Sequence, residues 1–142
     1  MNFLSSLASL FSGSSFGPEE FDMLVAQQPA AILLDVRTRN EFVQGHIEGS
    51  TLVPLDQLSA SLPQIAESPA PVVVICHSGA RASTAASALR RVGKADVYVL
   101  AGGVSYWAAQ RRRLVAGAKD IALRDALKKA RKAVASTNGA EA

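Results

Sequence analysis

The sequence predicts an α/β domain: a central, mostly parallel sheet of about five strands with helices on both faces. Two observations carry this. Short apolar runs alternate with stretches of helical spacing along most of the chain. The runs AILLDV (31–36) and PVVVIC (71–76) are apolar at every position but Asp35, so both of their faces are predicted to be covered.

The elements follow in order. Residues 1–13 carry no charged side chain, and Phe3, Leu4, Leu7, Leu10 and Phe11 fall at helical spacing with serines opposite. Residues 12–15, SGSS, read as a hinge. Pro18 suits the first turn of a helix over 18–27, and Glu19 and Glu20 favour its positive end. A strand is predicted at 31–36, a short helix at 39–44 stopped by Gly45, and a strand at 50–55 limited by Pro54. Residues 56–66 read as a helix capped by Asp56 and split by Pro63. A strand at 71–76 leads to a helix over 81–93 that ends at Gly93. A strand at 95–100 and a helix at 103–113 close the alternation. Beyond Gly117 a helical stretch runs to about residue 135, followed by a frayed tail. Three segments result: an amphipathic extension (1–13), the globular domain (14–115), and a basic helix with a flexible tail (116–142).

Composition narrows the chemistry. The chain has 142 residues, 49% of them apolar, enough for one packed domain with extensions. A net charge of +3 does not by itself argue for nucleic acid, and none is predicted as a partner. The single cysteine, Cys76, excludes an internal disulfide and an internal resolving thiol. One cysteine and two histidines do not make a structural zinc site; no metal or cofactor is predicted. A reducing, cytoplasmic setting is expected. No apolar run approaches the roughly 20 residues that span a bilayer. The N-terminal stretch lacks the basic start of a signal peptide, and serines interrupt its apolar run.

Cys76 ends an apolar strand, and His77, Ser78, Gly79, Ala80 and Arg81 lead directly into a helix. In an open parallel sheet, sites form at the carboxyl ends of strands. The first turn of a helix has unpaired N–H groups, and a tight loop wrapping into it aims several of them at one point. Gly79 supplies backbone freedom there. Helix N-termini and nearby cations favour the thiolate form of a cysteine. Alternatively, a lone cysteine at a strand end is a small buried hydrophobe. The polar loop, glycine and arginine favour a reactive thiol.

With those residues in view, the chain resembles a rhodanese domain of the sulfurtransferase family. CHSGAR (76–81) is similar to the six-residue active-site loop of single-domain rhodaneses. LLDVRTRNEFVQGHIEGSTLVPL (33–55), VYVLAGGVSYWAA (97–109) and FGPEEFDML (16–24) resemble further family stretches, in the expected order. The resemblance covers roughly residues 16–114 and implies a three-layer sandwich. It also implies that Cys76 attacks the outer sulfur of thiosulfate or a persulfide and carries a persulfide. The amides of His77 to Arg81 would cradle the transferred sulfur, Arg81 would hold an anionic donor, and a thiol or cyanide would accept the sulfur. Asp35 and Arg37 read either as tuning the loop or as a structural ion pair that extends to Glu41. His46 reads as a turn-bonding residue, Trp107 as core, and Gly102 and Gly103 as a tight turn close to the loop.

Two rival functions remain. Cysteine phosphatases and arsenate reductases place five residues between cysteine and arginine; here four separate Cys76 from Arg81, a smaller ring that suits one sulfur. A partner-dependent sulfur-relay or binding module is the other alternative. The terminal helices are expected to pack on the domain or each other, to form a homodimer, or to lie on an anionic membrane surface.

Overall fold

The computed structural model describes residues 15–141. The predicted amphipathic stripe at residues 1–13 lies outside them. Strands β1 (Ser15–Phe16), β2 (Ile32–Asp35), β3 (Thr51–Leu52), β4 (Val72–Ile75) and β5 (Val97–Leu100) form one sheet in the order β1-β5-β4-β2-β3. Every pairing is parallel, with Leu34 beside Val74 and Val74 beside Val99 at the centre.

The helices are α1 (Pro18–Gln27), α2 (Arg39–Gln44), α3 (Leu62–Glu67), α4 (Ala80–Arg91), α5 (Gly103–Ala109) and α6 (Leu123–Glu141), with a 3₁₀ helix at Leu55–Ser61. Alternate strand residues point to opposite faces, which divides the core in two. Ile32, Leu34, Val72, Val74 and Cys76 pack with Ala82, Ala85, Ala86 and Leu89 of α4. Leu33, Val73, Ile75 and Leu100 pack with Phe21, Leu24, Val104 and Trp107 of α1 and α5. Both faces of the central strands are therefore covered, which is why their sequences are apolar at every position but Asp35 of β2 and Tyr98 of β5.

Several elements differ from their predicted form. A strand occupies Ser15–Phe16, at the end of the predicted hinge. Phe16 is buried, stacks on Tyr98 with ring centroids 5.2 Å apart, and accepts a bond from the Ala101 amide at 2.9 Å. Strand β3 is shorter than predicted. Asp56 caps no helix: Pro54 precedes the 3₁₀ turn, and Pro63 sits in the first turn of α3 rather than splitting a longer helix. Helix α5 stops at Ala109, because Arg111 turns left-handed (φ 59°) and carries the chain back under Trp107, whose Nε1 donates to the Arg113 carbonyl at 3.0 Å.

From there the chain runs along the β3 edge. Val115 pairs with His46, Gly117 donates to Val43, and Asp120 accepts from the Leu52 amide at 3.0 Å. Helix α6 then packs on the domain through Ala126, Leu127 and Ala130, and leaves Arg124, Lys128, Lys129, Arg131 and Lys132 exposed. It extends past residue 135, where the sequence predicts fraying, to Glu141. Among the described residues no helix is long and apolar enough to cross a membrane.

Candidate active site

The chain leaves β2 for one edge of the sheet and β4 for the other. The carboxyl ends of these neighbours therefore frame the crevice where open parallel sheets bind ligands. Cys76 follows β4 there, beside Val36, whose amide donates to the Ile75 carbonyl at 3.0 Å.

Three features shape the loop after Cys76. Gly79 lies in the left-handed region at φ 116°, a conformation that costs a side-chain-bearing residue energy, and it caps α4. That turn brings the Gly79 amide to 2.9 Å from Cys76 Sγ, to which it donates. On the other side, the first turn of α5 fastens the loop: Val104 donates to the Cys76 carbonyl at 2.9 Å and Ser105 to the His77 carbonyl at 3.0 Å. Gly103 makes this approach possible. A Cβ there would stand 2.3 Å from the Cys76 carbonyl oxygen and 2.5 Å from that of His77. With these carbonyls tied to α5, the amides of His77, Ser78, Ala80 and Arg81 donate to no backbone acceptor among the described residues. Cys76 is 1% exposed, while His77, Ser78 and Ala80 are exposed and Gly79 is half-buried, so the sulfur lies just beneath the rim.

The structure brings all six loop residues together and adds one that the sequence assigns elsewhere. Arg81 does not stand free. Its Nη1 and Nη2 donate to Oε1 and Oε2 of Glu41 at 2.7 and 2.8 Å. Glu41 is fixed in turn by a capping box at the start of α2, where Thr38 Oγ1 accepts from the Glu41 amide at 3.3 Å and the Thr38 amide donates to Oε1 at 3.2 Å. The bonds from Arg81 hold the Glu41 carboxyl at about 2, well below the ordinary carboxylate value, with partial burial opposing and Thr38 assisting. The same bonds raise Arg81 further above its already high value, and the charges of Cys76 and Asp35 add to the effect.

Asp35 and Arg37 form a separate buried pair. Nη2 and Nε of Arg37 lie 2.8 and 3.0 Å from the Asp35 carboxylate, and Nη2 also donates to the Gly45 carbonyl at 2.8 Å. The predicted extension of this pair to the Glu41 side chain is not made; only the Glu41 backbone carbonyl lies near Arg37, at 3.5 Å. His46 has its Nδ1 2.9 Å from the Phe42 carbonyl and its ring stacked on Phe42, and Trp107 is 7% exposed in the core.

A cleft of about 470 Å³ opens over His77 and Arg81. Arg37 and Glu41 also line it, and Val104, Ala108 and Leu114 give it an apolar wall. Sequence reasoning missed that wall and the Glu41–Arg81 pair. The signal available for Glu41 was Thr38-x-x-Glu41, which sets it in the first turn of the helix following β2, the strand beside β4.

Residues 17–110 match the sequence model of the rhodanese-like domain family. The chain is 40% identical over 77 residues to the uncharacterized protein YqhL of Bacillus subtilis (strain 168), covering 54% of this chain and spanning 60% of that relative's length. It is 34% identical over 93 residues to the thiosulfate sulfurtransferase GlpE of Pseudomonas putida (strain GB-1), covering 65% of this chain and 83% of that one. The fold matches a rhodanese-related protein from Thermoplasma volcanium with a TM-score of 0.63 at 25% identity, over 72% of this chain and 98% of the other.

Proposed function

The chain belongs to the rhodanese-like domain family, and from that premise we propose that it is a sulfurtransferase working through a persulfide on Cys76. One observation carries the reading: Cys76 Sγ sits at the turn into α4, where it already accepts the Gly79 amide at 2.9 Å and where four further loop amides have no backbone acceptor. A negative sulfur is the ligand such a ring of donors suits, because fixed N–H dipoles stabilise charge without having to reorganise.

The transfer runs in two displacements. The Cys76 thiolate attacks the outer sulfur of the donor. The Sγ–S bond forms as the donor's own bond to that sulfur breaks, and the leaving group keeps the electron pair; from thiosulfate it is sulfite. Cys76 then holds the sulfur as a persulfide anion facing the amides of His77 to Arg81. A thiol or cyanide attacks that terminal sulfur and regenerates the thiolate. The loop amides are fixed dipoles that are in place for both displacements.

Mass spectrometry of the full chain after incubation with thiosulfate or a small-molecule persulfide tests this. One added sulfur on Cys76 is expected, with none on Cys76→Ser. A Cys76→Ser protein that retains sulfur transfer overturns the proposal.

A further inference from the structure

We infer that Glu41 is a specificity-determining residue that disfavours inorganic anionic donors and leaves the cleft to organic persulfides. This rests on the reading of Cys76 as the sulfur-transfer nucleophile. Thiosulfate carries two negative charges and offers sulfonate oxygens for recognition, so it calls for a cation whose charge is not already matched. Neither guanidinium at the cleft is such a cation. Arg81 gives one N–H from each terminal nitrogen to Glu41 at 2.7 and 2.8 Å, so an anion on its remaining N–H groups shares the guanidinium with that carboxylate. Arg37 commits Nε and Nη2 to Asp35 and Gly45, and its Nη1 faces the Glu41 carbonyl. A sulfonate arriving at Arg81 must displace the Glu41 carboxylate or lie beside it, like charge against like. The capping box holds that carboxylate in place from behind.

An organic persulfide escapes this competition. Its transferred end is a sulfur, which the loop amides receive, and its organic part has the apolar wall of Val104, Ala108 and Leu114 to rest on. In the step itself, the Cys76 thiolate attacks the outer sulfur of RS–SH. The Sγ–S bond forms, the RS–S bond breaks, and RS⁻ leaves with the pair and takes up the proton of the transferred sulfur as RSH. Cys76 is oxidised to the persulfide while the donor is reduced to its thiol, so no external oxidant enters.

The test measures Cys76 persulfidation kinetics with two donors, thiosulfate and the persulfide of N-acetylcysteine methyl ester, whose organic part is uncharged. In Glu41→Gln, which keeps a residue able to complete the capping box, the kcat/KM ratio of thiosulfate to organic persulfide is expected to rise about tenfold, equivalent to ~1.4 kcal/mol. The rise should come from a lower thiosulfate KM. Glu41→Ala should shift the ratio the same way, which guards against glutamine holding Arg81 as glutamate does. A ratio that stays constant or falls in both variants overturns the inference and leaves the persulfide mechanism standing. Failure of both donors to load wild-type Cys76 overturns the parent reading, and this one with it.

Discussion

Gly103 is the position at which the fold and the candidate site depend on a single hydrogen atom. Replacing it with alanine would set a Cβ 2.3 Å from the Cys76 carbonyl oxygen and 2.5 Å from the His77 carbonyl carbon and oxygen, inside the 3.0 Å below which such contacts are essentially never found. These are backbone atoms at the end of a central strand, so the loop cannot yield as a flexible side chain would. Helix α5 must lift, and the Val104 and Ser105 bonds to those carbonyls lengthen or break. Each bond is worth about 1 kcal/mol net. The left-handed backbone of Gly103, at φ 59°, adds about 1–2 kcal/mol once a Cβ is present. Gly103→Ala is therefore expected to lose about 3–4 kcal/mol in denaturant unfolding, a large part of a typical domain's 5–15 kcal/mol. Persulfide formation on Cys76 should slow with it, because the freed carbonyls no longer hold the loop amides in place. Gly93→Ala is the control: its φ is 102°, but nothing lies within 4 Å of its Cβ position, so it should show the conformational cost without the clash. Equal losses in the two variants, with sulfur transfer unchanged in Gly103→Ala, would refute the reasoning.

Two further outcomes follow from the polar pairs. The Glu41 carboxyl is held at about 2 by Arg81, so the stabilisation from this pair is fully present above the ordinary carboxylate value of 4.5 and is lost progressively as pH falls from there through about 2. An NMR titration of the Glu41 side-chain carboxyl should place its midpoint far below that of a free glutamate, and a midpoint near 4.5, the ordinary value, would show that the pair does not persist in solution. Asp35→Asn leaves the Arg37 guanidinium buried without its counter-charge, which is expected to cost about 3–5 kcal/mol in unfolding free energy. A loss under about 1 kcal/mol would rule out the structural role.

The parts of the fold that the sequence made legible are those written in local pattern. Val72 to Cys76 is apolar at every position and is followed at once by a glycine-containing polar loop and a helix, so the strand, the turn and the thiol at their junction could all be read from consecutive residues. The features that were not legible depend on which strands become neighbours. Glu41 and Arg81 stand 40 positions apart and meet only because β2 lies beside β4, which brings the helices that follow the two strands to one crevice. Likewise β1 has only two residues, too few for any periodicity, and is held by Phe16 packing on Tyr98 from β5. The 3₁₀ turn at Leu55–Ser61 carries a helical pattern but follows Pro54, whose extended backbone opens the element without a side-chain cap.

The pairing of the cations changes what holds the sulfur. Read from the sequence, Arg81 is a free positive charge beside Cys76 and the loop is mildly cationic. In the structure its charge is answered by Glu41, and that of Arg37 by Asp35, so the two guanidinium groups nearest the loop bring their own counter-charges. What remains directed at Sγ is the Gly79 amide, with the unbonded amides of the loop and the positive end of α4 around it. Such dipoles act over short distances, are fixed by the backbone, and exert little pull on anions in bulk solvent. A site built this way stabilises charge on sulfur once a donor has arrived without attracting donors because they are anions. On the proposed reading of Cys76, selection among donors then falls to the shape of the cleft and to the carboxylate paired with Arg81.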